Sequence, residues 1–126
     1  MTTWFYFKEQ VPYLAAINLM ETYVQKIINK QCTDTILLLE HPHVFTVGTS
    51  KGENQSLEED NDISVIQTNR GGKITYHGPN QRIIYPIIDL NDERDVRKFV
   101  NDLQDWIINT LKHFAITGVK LPEHPG

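Results

Sequence analysis

The sequence predicts an α/β domain with a mixed, largely antiparallel sheet and two helices. Short apolar segments that alternate or run continuously, as strands do, are interspersed with two longer stretches whose apolar residues recur every three or four positions. The 126 residues suffice for one hydrophobic core. Neither an internal repeat nor a compositional shift marks a linker, so we expect a single domain over 1–126.

Two amphipathic helices are expected. The first covers about residues 12–29 and begins at Pro12, whose missing N–H is tolerated in a first helical turn. The second follows Asn91 or Asp92, either of which can cap it, and its pattern is broken by Gly118. The apolar stripes that predict them are Leu14, Ile17, Val24, Ile27 and Ile28, and Val96, Phe99, Val100, Leu103, Ile107, Leu111 and Phe114.

Seven short segments are expected to be strands, namely 4–7, 35–40, 44–47, 63–67, 73–77, 82–90 and 119–121. Residues 35–40 are apolar on both faces, as in a strand that is covered on two sides. Pro86 cannot donate to a ladder, so its strand should lie at an edge or contain a bulge. Gly71 and Gly72 favour a tight turn between antiparallel strands. The polar residues 49–61, which include the acidic run 58–60, predict a loop.

Charge and cysteine content exclude several classes of protein. The formal charge of −4, from 12 basic and 16 acidic residues, gives no drive toward nucleic acid or an anionic membrane surface. Cys32 is the only cysteine, so an internal disulfide and a zinc-finger cysteine set are both excluded. The sequence has no apolar run of membrane-spanning length and no apparent signal peptide. We therefore expect a cytoplasmic protein.

The densest run of chemically capable residues lies at 68–81, with the sequence TNRGGKITYHGPNQ. Its adjacent glycines let the backbone take positive φ and approach a ligand closely. Arg70 can donate a planar pair of N–H groups to an anion or a carbonyl. Thr75 and His77 lie on one face of the strand that follows, and Tyr76 lies on the other. On the pattern alone, a hairpin with a glycine turn and a ligand site both stay open.

This run resembles the signature of the octanoyltransferases, also called lipoate–protein ligase B. That signature has Arg-Gly-Gly, two variable residues and Thr-Tyr-His-Gly-Pro-Gly-Gln, then a strand that ends in Tyr-Pro. The matching positions are Arg70, Gly71, Gly72, Thr75, Tyr76, His77, Gly78, Pro79, Gln81, Tyr85 and Pro86. Asn80 replaces a usual Gly, and Arg82 replaces a usual apolar residue. Residues 39–48 also look like the family's preceding strand, so the resemblance covers most of the chain.

The resemblance implies the lipoate/biotin protein ligase catalytic fold and an acyltransferase of lipoate biosynthesis. The family moves an octanoyl group from acyl carrier protein to a lysine of lipoyl domains, in the 2-oxoacid dehydrogenases and the glycine cleavage H protein. The step passes through a thioester on a cysteine beside a lysine that favours the thiolate. The implied substrate-binding residues are Arg70, Gly71, Gly72, Lys73, Ile74, Thr75, Tyr76 and His77. No cofactor, metal, nucleic-acid or membrane partner is expected.

The family's catalytic cysteine and lysine lie downstream of the signature, beyond the position of Gly126. Cys32 lies upstream and matches no family position, and neither Lys73 nor Lys120 corresponds to the family's lysine. The resemblance therefore implies the amino-terminal part of a catalytic domain that is inactive alone. It would be a truncated or split gene product, or a remnant that binds without catalysing.

Several alternatives remain open at this point. An ATP-dependent lipoate or biotin ligase shares the fold, and a non-catalytic fragment could bind an acyl group or an acyl-carrier partner. His41, His43 and His77 could bind zinc, because histidine is a common metal ligand. Cys32 with a histidine could form a hydrolase, although nothing in its sequence neighbourhood activates the thiol.

Overall fold

The computed structural model describes residues 1–50, 63–91 and 95–123. Their contacts divide the chain into two compact units, Met1–Asp89 and Leu90–Gly126. The strands are β1 (Thr3–Tyr6), β2 (Thr35–Leu39), β3 (Val44–Val47), β4 (Ser64–Gln67), β5 (Ile74–His77) and β6 (Ile83–Ile87), and the helices are α1 (Tyr13–Ile28) and α2 (Val96–Lys112). The predicted α/β class with mixed strand pairing and two helices is confirmed, although the described strands form two sheets and not the single, largely antiparallel sheet that was expected. The acidic run 58–60 and most of the predicted loop 49–61 lie outside the described residues.

The first sheet of the amino-terminal unit has the order β1-β2-β6, with β2 parallel to β1 and antiparallel to β6. Helix α1 supplies Ala16 to a buried core that also contains Leu37, Leu39 and Ile87. Burial on both faces of β2 is confirmed, since four of its five residues are buried. Pro86 lies in β6, which is an edge strand among the described strands, as its missing N–H predicts.

The second sheet has the order β4-β3-β5, with β3 parallel to β4 and antiparallel to β5. The predicted hairpin across Gly71 and Gly72 is therefore wrong, because β3 lies between the two strands that the glycines connect. Each sheet contains one parallel and one antiparallel pair. The physical reason is that the connection 68–73 makes its hydrogen bonds to β3 and the residues just after it, instead of closing on itself.

A four-residue connection, 40–43, joins β2 of the first sheet to β3 of the second. It carries Glu40, His41 and His43, and all three side chains bind residues from other elements. Because the chain passes directly from one sheet to the other, this connection brings polar groups from both sheets together.

The carboxy-terminal unit contains α2 and the segment that follows it. Asp95 caps the helix, and its Oδ1 accepts a hydrogen bond from the Lys98 backbone N–H at 2.9 Å. The cap predicted at Asn91 or Asp92 is therefore wrong, since the helix begins later. Asp92 itself lies outside the described residues.

The helix ends at Lys112, and Ala115 takes a left-handed φ of 57° in the turn that follows. The strand predicted at 119–121 does not form. Lys120 instead places Nζ 2.7 Å from an Asp105 carboxylate oxygen and 3.2 Å from Asn101 Oδ1, so side-chain contacts hold the segment along α2. Neither of the described helices is long and apolar enough to cross a membrane.

Candidate functional site

The Arg-Gly-Gly loop lies against the chain just after β3. The Thr49 backbone N–H donates to the Arg70 carbonyl at 2.8 Å, and the Ser50 N–H donates to the Gly72 carbonyl at 3.3 Å. In return, the Gly72 N–H donates to Ser50 Oγ at 2.8 Å. These reciprocal bonds fix the loop on β3 and explain why its glycines do not form a hairpin turn.

Two glycines meet where this loop crosses the end of β3. A Cβ on Gly48 would lie 2.2 Å from the carbonyl oxygen of Gly72, a distance that real Cβ atoms do not adopt. Gly72 has φ +90°, a conformation that residues with a side chain rarely take. The close approach of the two backbones therefore requires glycine at 48, and the positive φ favours glycine at 72.

Arg70 is bound to the central strand of the second sheet. Its Nη2 donates to the Thr46 carbonyl at 2.9 Å and to Thr46 Oγ1 at 2.7 Å, and Nη1 donates to the Gly71 carbonyl at 3.0 Å. Thr46 is fully buried. The guanidinium is thus a fixed positive charge beside the loop, and these bonds use three of the five N–H donors that an arginine has.

A cluster of aromatic and imidazole rings lies beside the other end of the signature. We call Tyr13, His41, His77 and Tyr85 the histidine–tyrosine cluster. His41 is wholly buried, with Nδ1 2.6 Å from the Val11 carbonyl oxygen and Nε2 2.8 Å from the Tyr85 hydroxyl. Burial raises the pKa of Tyr85 to about 12, with a smaller contribution from Tyr13. Tyr85 is therefore a protonated hydroxyl throughout the physiological range.

His77 differs from its neighbours in the cluster because its Nδ1 is buried and has no hydrogen-bond partner among the described residues. Burial is the largest cause that lowers the pKa of His77 below the usual 6.5, and the charges of His41 and Arg70 lower it further. The imidazole is therefore neutral at pH 7.

Tyr76 points away from this cluster. Its hydroxyl lies 2.6 Å from Nδ1 of His43, at an exposed position. A Cβ on Gly78 would lie 2.1 Å from the Tyr76 hydroxyl oxygen, so the tyrosine ring occupies the space that any side chain at 78 would need. The Gly78 of the signature is required sterically by its own neighbouring tyrosine.

Both departures from the signature bind the same carboxylate. The Asn80 N–H donates to Glu40 Oε2 at 2.9 Å, and Arg82 Nη2 lies 3.4 Å from Glu40 Oε1. Asn80 takes φ 65°, a left-handed conformation that glycine adopts freely and that asparagine tolerates better than most residues. Arg82 also lies over the Tyr6 ring, 5.0 Å from its centroid. The substitutions therefore keep the turn geometry and add an ion pair.

The residues predicted as a site are only partly brought together. Arg70 and His77 belong to one neighbourhood, since the charge of the first acts on the second, whereas Lys73 and Thr75 are exposed. Tyr76 and His77 lie on opposite faces of β5, as predicted. Cys32 lies apart, because it precedes β2 and the cluster follows it, so about 15 Å of strand separates them.

Sequence reasoning considered His41 only as a metal ligand and missed its place in the cluster. The interpretation of His41, His43 and His77 as a zinc site is not supported, since both ring nitrogens of His41 bind protein groups. Within residues 1–50, 63–91 and 95–123, no group of three His, Cys, Asp or Glu side chains could hold a metal ion. A histidine that follows a strand predicted to be covered on both faces was the available signal for a core hydrogen-bonding role.

Comparison with known proteins supports the family resemblance that the signature suggested. The family model of the lipoyl protein ligase A/B catalytic domain matches residues 12–124. Curated octanoyltransferases from Rickettsia prowazekii (strain Madrid E) and Rickettsia rickettsii (strain Sheila Smith) are 43% and 42% identical over 117 residues. In both cases the match covers 90% of this chain and 56% of the relative, so the chain spans little more than half of their length.

The fold has a counterpart among solved structures. A T. acidophilum protein described as a candidate lipoate protein ligase superposes with a TM-score of 0.65 at 13% identity. The superposition covers 97% of this chain and 52% of that protein. It supports the predicted ligase-type fold, and the sequence relatives support the predicted octanoyltransferase resemblance. The chain belongs to the lipoyl protein ligase A/B catalytic domain family.

Proposed function

We propose that this chain carries the acyl-substrate-binding part of an octanoyltransferase of lipoate biosynthesis. The reaction moves an octanoyl group from acyl carrier protein to a lysine of lipoyl domains, in the 2-oxoacid dehydrogenases and the glycine cleavage H protein. The cytoplasm is the location that we propose, in line with a single free cysteine.

One observation carries the proposal: hydrogen bonds fix the signature loop on the second sheet, and the loop contains an anchored cation. Reciprocal hydrogen bonds fix Gly72 on Ser50, and Arg70 is anchored on the buried Thr46. A loop with glycines at 71 and 72 lets a ligand approach the backbone closely, and the guanidinium supplies positive charge beside it. Two curated relatives from Rickettsia that share this region are octanoyltransferases.

The proposed substrate-binding residues are those of the signature segment, from Arg70 to His77. Backbone N–H groups of the segment suit the thioester carbonyl, which gains negative charge when it is attacked. Apolar side chains beside the segment would hold the octanoyl tail, where each buried CH₂ contributes about 0.8 kcal/mol.

We further propose that Cys32 is not the nucleophile. It is partly buried and lies at the opposite end of β2 from the histidine–tyrosine cluster. In the family that the signature resembles, the thioester cysteine and its lysine lie downstream of the position of Gly126. On this proposal the 126 residues bind the acyl group but do not transfer it by themselves.

A binding experiment tests the substrate site. Octanoyl-pantetheine titrated into the chain by calorimetry should bind, and Arg70→Lys should weaken binding about tenfold, because lysine keeps the charge but loses the planar fork. Arg97→Lys, on α2, is the matched control and should leave the affinity unchanged. Equal affinities for the two variants would contradict a role of Arg70 in the site.

Intact-mass measurement after incubation with octanoyl-acyl carrier protein tests the assignment of Cys32. We expect no acyl adduct on the chain, and transfer to a lipoyl domain only when a carboxy-terminal segment of an octanoyltransferase is added in trans. An adduct on Cys32 would overturn the assignment.

An ATP-dependent lipoate or biotin ligase is the second candidate, because the matching family model covers lipoyl protein ligase A as well as lipoyl protein ligase B. In the complemented assay, transfer from octanoyl-acyl carrier protein without ATP supports the octanoyltransferase. Transfer of free octanoate that requires ATP would support the ligase.

A further inference from the structure

His41 is held on both edges of its ring by groups from different elements. The Val11 carbonyl can only accept a hydrogen bond, so His41 Nδ1 carries the proton. Nε2 is then the acceptor, and the Tyr85 hydroxyl donates to it. Because the ring is wholly buried, these two bonds fix both its tautomer and its plane.

His77 lies against this fixed ring in a T-shaped arrangement. The centroids of the two imidazoles lie 5.7 Å apart, and their planes are nearly perpendicular at 89°. Tyr13 contacts both rings, with centroid distances of 5.3 Å to His41 and 5.9 Å to His77. Rotation of the His77 ring would therefore displace rings that are themselves anchored in the core.

The unpartnered Nδ1 of His77 needs an explanation, because native proteins rarely bury a polar atom without a hydrogen bond. A purely structural role would be served better by an apolar ring at this position. The atom belongs to the last residue of the signature segment, and a polar atom of a ligand bound to that segment would satisfy it.

We propose that His41 is a positioning residue, which holds the imidazole of His77 so that its Nδ1 receives a polar atom of the bound octanoyl thioester. The inference rests on the proposed function for the identity of the ligand. The contact between the two histidines rests on geometry alone, so an experiment can overturn the proposed function without overturning the positioning role of His41.

The groups that face His77 make a neutral ring the favoured state. They are Tyr13 from α1, which helps to bury the ring, and His41 and Arg70, whose charges lower its pKa, while Tyr85 contacts His41 and not His77. Among the described residues, no carboxylate is ion-paired with either histidine. Protonation of His41 lowers the pKa of His77, so removing the His41 imidazole should let that pKa rise.

The test combines binding with side-chain NMR on ¹⁵N-histidine-labelled protein. With octanoyl-pantetheine as the probe, the Nδ1 signal of His77 should move on binding in the wild-type chain. In His41→Gln the affinity should fall about tenfold, the shift should shrink, and the titration midpoint of His77 should move up in pH. His113→Gln, an exposed histidine after α2, is the control and should bind within about twofold of wild type.

Tyr85→Phe keeps the core filled and removes only the hydroxyl that donates to His41, so it serves if His41→Gln does not fold. We expect weaker binding and changed ring-nitrogen signals for His77. Binding within about twofold of wild type, with unchanged His77 signals, would overturn the proposal.

Absence of binding by the wild-type chain would overturn the proposed function but not the positioning role. The His77 signals of Tyr85→Phe without ligand then decide that role. A change from wild type supports it, and identical signals and titration midpoints overturn it.

Discussion

Two histidine–tyrosine pairs join the connection 40–43 to the signature, and they differ in burial far more than in the distance between their polar atoms. His41 Nε2 lies 2.8 Å from the Tyr85 hydroxyl, and His43 Nδ1 lies 2.6 Å from the Tyr76 hydroxyl. The first histidine is wholly buried, whereas the second pair is exposed to water. Bond length does not predict which pair contributes more to stability. Burial does, because a core atom that loses its hydrogen-bond partner has no water to replace it.

The largest expected effect is the loss of the buried histidine. His41→Ala leaves the Val11 carbonyl and the Tyr85 hydroxyl without a partner and creates a cavity, so we expect the free energy of unfolding to fall by about 3 kcal/mol. His43→Ala should change it by less than about 0.5 kcal/mol. Urea denaturation measures both variants. Equal losses would remove the distinction between the pairs.

The exposed pair of His43 and Tyr76 can be disturbed by a substitution at Gly78, which packs against the Tyr76 ring. Gly78→Ala places a methyl group against the Tyr76 hydroxyl, so we expect about 1–3 kcal/mol of destabilisation. Adding Tyr76→Ala should restore most of this loss because it removes the colliding ring. Gly71→Ala is a matched control, since a Cβ there meets nothing within 4 Å. A loss that Tyr76→Ala does not restore would argue against the steric explanation.

Removing one hydroxyl from each pair gives a finer comparison. Tyr85→Phe should lower the free energy of unfolding by about 1–2 kcal/mol, since His41 Nε2 is left unsatisfied in the core. Tyr76→Phe should cost less than about 0.5 kcal/mol, because water can replace the lost bond. Thermal denaturation of both variants with matched buffers checks the ranking, and a larger loss for Tyr76→Phe would reverse it.

The ion pair of Glu40 should contribute less still. Glu40→Gln keeps an oxygen for the Asn80 N–H and removes the charge opposite Arg82, so we expect a loss of about 0.5 kcal/mol or less. The difference from wild type should shrink when salt is raised from about 0.1 M to 1 M. A difference that does not depend on salt would point to packing instead.

The smallest expected effect is a pH dependence that arises from His77. Its pKa is lower in the folded chain than the usual 6.5, so the unfolded chain binds more protons just below that value. Stability should therefore be full above pH 6.5 and should fall as the pH drops from there toward the lowered pKa. Urea denaturation across this range should give a flatter profile for His77→Gln. An equally steep profile would assign the dependence to another group.

Local patterns predicted most of the elements. The first helix and six of the seven strands follow from periodicity that neighbouring residues establish by themselves. Strand pairing around residues 71–72 could not be predicted from local sequence. Strands β4 and β5 both pair with β3, and contacts such as Arg70 to Thr46 join residues far apart in sequence. The segment 119–121 failed for a similar reason, since its position depends on the Lys120 ion pair.

The candidate site was predictable only as far as its motif. The signature indicated Arg70 and His77 as candidates, because residue order alone carries that signal. The role of His41 depends on the Val11 carbonyl and Tyr85, which reach it from 30 and 44 residues away. Composition and spacing contain no information about such contacts, so the histidine could be noticed but not interpreted.

The connection 40–43 joins the two sheets and also sets the spacing between three side chains. The Glu40 carboxylate binds the turn at residue 80, His41 binds the buried Tyr85, and His43 binds the exposed Tyr76. Each contact depends on the position of its side chain along the connection. Deleting a single residue here would shift the later side chains by one position relative to their partners, so we expect at least one of the three contacts to be lost. The length of the connection therefore matters to these contacts as much as the identity of its residues.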